Sequence, residues 1–276
     1  MNNQNSILLL DPTFDPKTSI NCNLLVKLGI NSFSYAIIDK EKNKVVAVYD
    51  EQECDDVPTK LRERLKNDSY LALTFSEVKI AVYSENTISL PHAIFNDDQL
   101  ELATSFFSPS HSENLYTNTH PNFGLNSVFS FSKITDELIH QSLATSKKYH
   151  PNDGLLKLAE HVEDTALLLD FTAGSLHLLY LKDKCVIFQH GYEIENQEEL
   201  NYYILLLIHQ LKIDPHHTIV YISGIIHEGD EKYNLLKQYF DTLTFLNLPN
   251  SGLDQQVLDD MPTHYYTSLL TLDQCV

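Results

Sequence analysis

The feature that most restricts the fold of this chain is the segment from residue 165 to 196. It contains three short apolar runs separated by tight turns, and a helical pattern follows directly. The runs read as strands at 166–171, 176–182 and 185–192. Such a unit of three strands and a helix cannot bury its apolar surface alone, so its partner must be sought elsewhere in the chain.

A similar unit occurs near the N-terminus, which indicates a repeat. A shift of 143 positions places Leu25 on Leu168 and Lys27 on Asp170. Both units then continue in one order, which is strand, strand, strand, helix, strand, helix, strand. Chance similarity between two apolar hairpins could explain the pairwise match, but the shared order of seven elements favours two copies of one unit.

The repeat divides the chain into two predicted lobes and a tail. The first lobe spans 20–150, the second spans 162–250, and a segment at 251–276 is expected to pack on both. Residues 1–20 read as a loosely held leader. The segment 108–126 is rich in Ser, Asn, Pro and His and reads as a loop, with room for a short strand near its centre. It is either a contact surface or a disordered crossover.

Composition excludes several classes of function. The 276 residues carry 38 acidic and 19 basic side chains, a formal charge of −19. Such a surface repels nucleic acids and anionic lipids, so neither a nucleic-acid partner nor membrane docking is expected. No apolar run approaches the roughly 20 residues that a membrane-spanning helix needs. The four cysteines have neither zinc nor redox spacing, which predicts a reduced, cytoplasmic protein.

Two copies of this unit resemble the actin-like ATPase fold, the superfamily of actin, sugar kinases and heat-shock chaperones. The whole pattern resembles a family of uncharacterised bacterial proteins that keep this fold and, more distantly, the pilus-assembly ATPases. The resemblance covers about residues 20–250. The predicted fold class is therefore α/β: an actin-like ATPase fold with two ribonuclease H-like βββαβαβ units related by internal duplication.

The resemblance implies a nucleotide cleft between the lobes, with phosphate held by the first hairpin of each unit. The superfamily uses Asp-x-Gly there, because the acid holds the Mg²⁺ shell and the glycine brings backbone N–H groups to phosphate. In the first copy the acid has become Lys27. In the second copy Asp170 remains, Thr172 replaces the first glycine, and Gly174 and Ser175 follow. This half of the clamp is the better preserved.

The adenosine-binding turn of the superfamily corresponds to Ser223 and Gly224, where Ile225 and Ile226 would crowd a nucleotide. The eight glycines of the chain are isolated, whereas phosphate loops usually cluster them. The residues that the resemblance assigns to a degenerate nucleotide cleft are Asp170, Gly174, Ser175, Ser223 and Gly224. Each also has a structural interpretation, as an acid at a strand end, as turn residues, or as the exit of a strand.

Other chemistry has less support in the sequence. The thirteen histidines include the adjacent His216 and His217, but no spacing typical of a metal site occurs, so no metal is predicted. A ribonuclease H-like nuclease would need several converging carboxylates and two metals. Asp170 and Glu199 could supply two, but the predicted fourth strand at 218–223 carries no acid. No catalytic residue is assigned.

The sequence therefore favours a non-catalytic cytoplasmic scaffold that binds an unidentified protein partner and no cofactor. The alternative is a Mg-ATP-binding actin-like ATPase or phosphotransferase. Asp170 separates the two hypotheses, because only the second needs its carboxylate for a cation.

Overall fold

The computed structural model describes residues 5–108, 112–249 and 252–276. Residues 250 and 251, where the second lobe was expected to end and the tail to begin, lie outside the described residues, as does 109–111 of the predicted loop. Within the described ranges no helix is long and apolar enough to cross a membrane.

The described strands, numbered in chain order, are β1 (Ser6–Leu10), β2 (Cys22–Leu28), β3 (Ser32–Asp39), β4 (Lys44–Gln52), β5 (Glu77–Val82), β6 (Thr87–Pro91), β7 (Glu113–His120), β8 (Leu125–Ser132), β9 (Lys147–Tyr149), β10 (Ala166–Thr172), β11 (Ser175–Lys182), β12 (Cys185–Glu193), β13 (Ile219–Gly224) and β14 (Leu243–Phe245). The described α-helices are α1 (Val57–Asn67), α2 (Asp97–Thr104), α3 (Lys133–Ser142), α4 (Pro151–Ala159), α5 (Gln197–Leu211), α6 (Glu231–Tyr239) and α7 (Thr267–Thr271).

Two sheets repeat one strand order. The first contains β4-β3-β2-β5-β9 and the second β12-β11-β10-β13-β14, with the first three strands antiparallel and the last two added in parallel. The register is also repeated, since Lys27 pairs with Ser34 and Asp170 pairs with His177. These pairs are separated by the predicted 143 positions. The actin-like βββαβαβ order is therefore present in each lobe.

The central strands are apolar because both of their faces are covered. In the first lobe α1 and α3 pack on one face, and α7 packs on the other. In the second lobe α5 and α6 cover one face, and α4 covers the other. Because α7 also contacts α4 and β13, these two helices lie between the sheets and join the lobes.

The prediction of a loop at 108–126 is wrong for most of this segment. Its described part contains β7, which forms a three-stranded sheet in the order β6-β8-β7. The error has a physical reason, since β7 carries polar residues on both faces and its apolar contact is limited mainly to Tyr116, which stacks on Phe129 and Phe131 of β8. This small sheet, together with α2, is inserted between β5 and α3 of the first lobe.

The prediction of a loosely held leader at 1–20 is wrong over its described part, because residues 6–10 form β1 at the edge of the first sheet, antiparallel to β4, while residues 1–4 lie outside the described residues. Asp11 fixes the chain after this strand. Its carboxylate contacts the ammonium of Lys44 at 2.6 Å and accepts hydrogen bonds from Thr13. These contacts lower the pKa of Asp11 to about 2. The short run of Ile and Leu suffices for a strand because β4 offers an open edge.

Candidate functional site

The centre of the contact between the lobes is a buried ion pair. Lys27 lies near the end of β2, and Asp170 lies at the matching position of β10. The Nζ of Lys27 lies 2.6 Å from Oδ2 of Asp170 and donates a hydrogen bond to Oγ of Ser268 on α7, at 2.7 Å. The side chains are only 8% and 1% exposed. The two residues that the repeat superposes thus bind each other.

The second oxygen of the Asp170 carboxylate is also bonded. Ser223 lies beside Asp170 on the parallel neighbour β13 and donates its hydroxyl to Oδ1 at 2.8 Å. Asp170 and Ser223, both predicted from the sequence, therefore meet, and each oxygen of the carboxylate has a partner. Among the described residues, no group of three or more His, Cys, Asp or Glu side chains is placed to hold a metal ion.

The hairpin turns of the two lobes touch each other. The hydroxyls of Thr172 and Ser175 lie 2.5 Å apart and close the turn between β10 and β11. Gly174 has a φ of +75°, and a Cβ there would lie 2.7 Å from Nδ2 of Asn31 in the first lobe. The backbone N–H of Ala173, in the same turn, donates to the side-chain oxygen of Gln52 in the first lobe at 3.3 Å. The turn expected to hold phosphate packs against protein.

Gly224 is required by a close approach of two backbones. Its φ is +78°, and a Cβ would lie 1.9 Å from the carbonyl oxygen of Phe171. Its N–H donates to the carbonyl of His264, and the next N–H, of Ile225, donates to the carbonyl of Phe171. This explains the glycine at the predicted adenosine turn by packing alone.

A small polar cavity of about 30 Å³ adjoins the ion pair. Its lining includes Ser32, Ser34 and Asp50 from the first lobe. Burial raises the pKa of Asp50 to about 6, against the opposing effects of a hydrogen bond from Gln52 and the charge of Lys27. The cavity has the size of a water site rather than a ligand site.

A larger pocket of about 450 Å³ opens at the mouth of the cleft. It is lined by the turn at Gly174 and by the first residues of α5 and α6. The ammonium of Lys232 lies 5.4 Å from the ring centroid of Phe171, and burial lowers the pKa of this lysine. Glu53 and Glu231 add acidic side chains to the lining.

Two buried histidines lie beside the ion pair. His177, the cross-strand neighbour of Asp170, donates from Nδ1 to the side-chain oxygen of Asn152 at 3.2 Å. His150 accepts the N–H of Asn152 on Nδ1 and caps α4. Burial lowers the pKa of His150 to about 4 and that of His177 well below its ordinary value, so both rings are neutral.

Other side chains considered for chemistry lie apart from the ion pair. Glu199 accepts the backbone N–H of Glu195 at the start of α5. His216 and His217 bond to Asp241 and Asp214 on the surface. Sequence reasoning missed Asp50 and Ser268. Asp50 gave a signal as an acid within the apolar run of β4, whereas Ser268 gave none.

Solved structures place the fold among known proteins. A Bacteroides thetaiotaomicron protein with an actin-like ATPase fold and unknown function is 14% identical, with a TM-score of 0.75 over 91% of this chain and all of that chain. A chain of the PilM–PilN type IV pilus biogenesis complex is 13% identical, with a TM-score of 0.57 over 91% of this chain and 97% of that one. EutJ, an ethanolamine utilization protein of Carboxydothermus hydrogenoformans, is 7% identical, with a TM-score of 0.53 over 97% and 93%.

At these identities the likeness shows the fold alone. It confirms the predicted actin-like ATPase fold and the distant similarity to a pilus-assembly protein. Among curated proteins, none matches this chain. Residues 11–243 match the family described as "Protein of unknown function (DUF3822)". The chain therefore belongs to the DUF3822 family of proteins of unknown function.

Proposed function

We propose that this chain is a non-catalytic scaffold of the bacterial cytoplasm, a pseudo-ATPase that uses the actin-like fold to bind another protein. The observation that carries the proposal is the buried ion pair of Lys27 and Asp170. In ATPases of this fold, acids at these positions surround a nucleotide-bound cation. Here the ammonium group of the first lobe neutralises the acid of the second.

A divalent cation would have to displace this ammonium group. Asp170 already contacts Lys27 and Ser223, so Mg²⁺ could reach its oxygens only by leaving Lys27 buried without its charged partner. An unpaired buried charge costs several kcal/mol. Mg-ATP therefore does not fit the residues at this point of the cleft.

The backbone around the ion pair supports the same proposal. A Cβ at Gly174 or at Gly224 would meet protein atoms, so both glycines are explained by packing and neither requires a bound phosphate. The adjoining cavity of about 30 Å³ is far smaller than the roughly 300–1,000 Å³ of ordinary ligand sites. These observations support the proposal that the residues of the phosphate-binding half now serve packing between the lobes.

One observation favours the alternative, a Mg-ATP-binding ATPase or phosphotransferase. The pocket of about 450 Å³ has the volume of a ligand site and contains the ammonium of Lys232. A nucleotide could enter there if the hairpin turns separated at Gly174 and Asn31. The alternative thus requires a change in the contact between the lobes.

The common strand order supports an origin of the two lobes by internal duplication. We infer the lobes expected from the sequence, 20–150 and 162–250, with residues 6–10 added to the first lobe because β1 belongs to its sheet, and with the described residues 252–276 packing on both. The contacts of α7 with β2, β3 and β13 support that role, because they join elements of both lobes.

A thermal-shift titration with Mg-ATP separates the two functions. A ligand at about 100 times its Kd stabilises by about 2.7 kcal/mol, which raises Tm by roughly 5–11 °C at about 2–4 °C per kcal/mol. We expect no rise for the scaffold. A rise of that size that is abolished by Asp170→Ala or Lys232→Ala would refute the proposal and establish nucleotide binding.

A further inference from the structure

The inserted part of the first lobe exposes three large apolar side chains, one before α2, one within it and one just after its end. Ile94, Leu102 and Phe106 are 51%, 57% and 79% exposed, and we call these three residues the α2 patch. Isolated exposed apolar residues are ordinary on protein surfaces. Three within thirteen positions of one short insertion, with a phenylalanine almost wholly in solvent, are typical of an interaction site.

The opposite side of α2 already supplies the apolar contact that holds this helix. Leu100 and Phe107 pack on a cluster formed by Leu90, Ala103 and Val128, which joins α2 to β6 and β8. The α2 patch is therefore not needed to attach the helix to the small sheet. Leu102 of α2 and Phe106, two residues beyond the end of this helix, are four positions apart and leave apolar surface available to a partner.

Acidic side chains accompany the patch. Asp97, Asp98 and Glu101 are exposed on the same helix, and no salt bridge involves them among the residues that the structure describes. Asp97 and Asp98 also interact favourably with the helix dipole at the N-terminus of α2, where Asn96 caps the helix. Glu101 lies one turn further on. Asp98 precedes Leu102 by four positions and Glu101 is its chain neighbour, so negative charge lies beside the apolar surface.

We propose that the α2 patch binds an amphipathic, positively charged helix of a partner protein. Such a helix would place its apolar side chains on Leu102 and Phe106 and its Lys or Arg side chains against the three acids. A second copy of this chain is disfavoured, because each copy carries a charge of −19 and would oppose acids with acids. Anionic membranes and nucleic acids are disfavoured for the same electrostatic reason.

This inference rests on the proposed scaffold function and names the chemistry of its partner. The probe is a fluorescein-labelled helical peptide of leucine and lysine with an amphipathic pattern, titrated with the full chain and followed by fluorescence anisotropy. We expect saturable binding that weakens as salt is added. A peptide in which glutamate replaces every lysine should not bind.

Two sets of variants locate the contact. Leu102→Ser and Phe106→Ser should each weaken peptide binding about tenfold or more, because each removes an apolar anchor. Leu205→Ser, at an exposed apolar residue of α5 in the other lobe, is the matched control and should change binding by less than about twofold. Circular dichroism and Tm of each variant verify its folding.

The charges are tested by a variant that keeps the apolar groups. Asp97→Asn, Asp98→Asn and Glu101→Gln together should weaken binding and reduce its salt dependence. The proposal is overturned if the lysine peptide does not bind, if the glutamate peptide binds equally well, or if the Leu102 and Phe106 variants bind like the wild type. The proposal is also overturned if the wild type forms an oligomer, or binds anionic vesicles, and these two variants do not. The patch would then have another occupant. A Tm rise with Mg-ATP would refute the scaffold instead, so the two failures are distinguishable.

Discussion

Removal of the ammonium group of Lys27 should strongly destabilise this protein. Lys27→Met keeps the length of the side chain but leaves the carboxylate of Asp170 buried, with the Ser223 hydroxyl as its one remaining partner among the described residues. Loss of one member of a buried ion pair costs about 3–5 kcal/mol. For a chain of this length, at roughly 2–4 °C per kcal/mol, Tm should fall by about 6–20 °C.

The double variant Lys27→Met, Asp170→Asn separates the pair from the packing around it. Because no charge is then left unpaired, the double variant should recover about 2–3 kcal/mol relative to the sum of the single variants. Urea denaturation followed by circular dichroism measures all four proteins at pH 7. Additive losses, or a loss below about 1 kcal/mol in Lys27→Met, would refute the reasoning that the pair holds the lobes together.

Three further perturbations test other parts of the structure. Lys27→Asp should create two facing carboxylates, so that millimolar MgCl₂ raises the Tm of this variant and leaves that of the wild type unchanged. Equal responses of the two proteins in thermal-shift assays would contradict the proposal that the ammonium group of Lys27 takes the place of a cation. Gly224→Ala should cost at least about 3 kcal/mol in urea denaturation because its Cβ would meet a backbone oxygen, whereas Gly229→Ala, with φ of +87° and no atom within 4 Å, should cost only about 1 kcal/mol; similar losses would show that backbone conformation alone matters. His150→Asn should remove part of the sensitivity of folding stability to acid. The pKa of this histidine is near 6.5 in the unfolded chain and about 4 in the folded protein. The stability that comes from the neutral ring is therefore fully present above pH 6.5 and is lost as pH falls from 6.5 to 4. Between pH 7 and 5 the wild type should therefore lose about 2 kcal/mol more than this variant, and parallel pH profiles would refute the assignment.

The repeat made the fold predictable. Leu25 and Leu168 lie in strands that are buried on both faces, and such strands are continuous apolar runs that sequence periodicity detects. The equal register of the hairpins follows from the same pattern. By contrast, β7 was expected only as a short strand within a loop, because it is half exposed in a small sheet, where pairing with β8 rather than composition determines the strand.

The candidate site was predictable in its members but not in its contacts. The sequence identified Lys27 as the loss of an acid and Asp170 as the acid that remained. That the two side chains bind each other depends on how the lobes pack, and no local pattern encodes a contact between residues 143 positions apart. Ser268 was missed for the same reason, because it reaches Lys27 from α7, 241 positions away.

The division of the strands between the sheets has a consequence for the order of folding. Every described strand of the first sheet comes from residues 6–149, and every described strand of the second comes from 166–245. During synthesis the first sheet can therefore assemble before the second has left the ribosome. The central ion pair joins distant segments, and α7 completes its environment only after residue 268 has emerged. We expect docking of the lobes to be the last step of folding, and the step most sensitive to changes at Lys27.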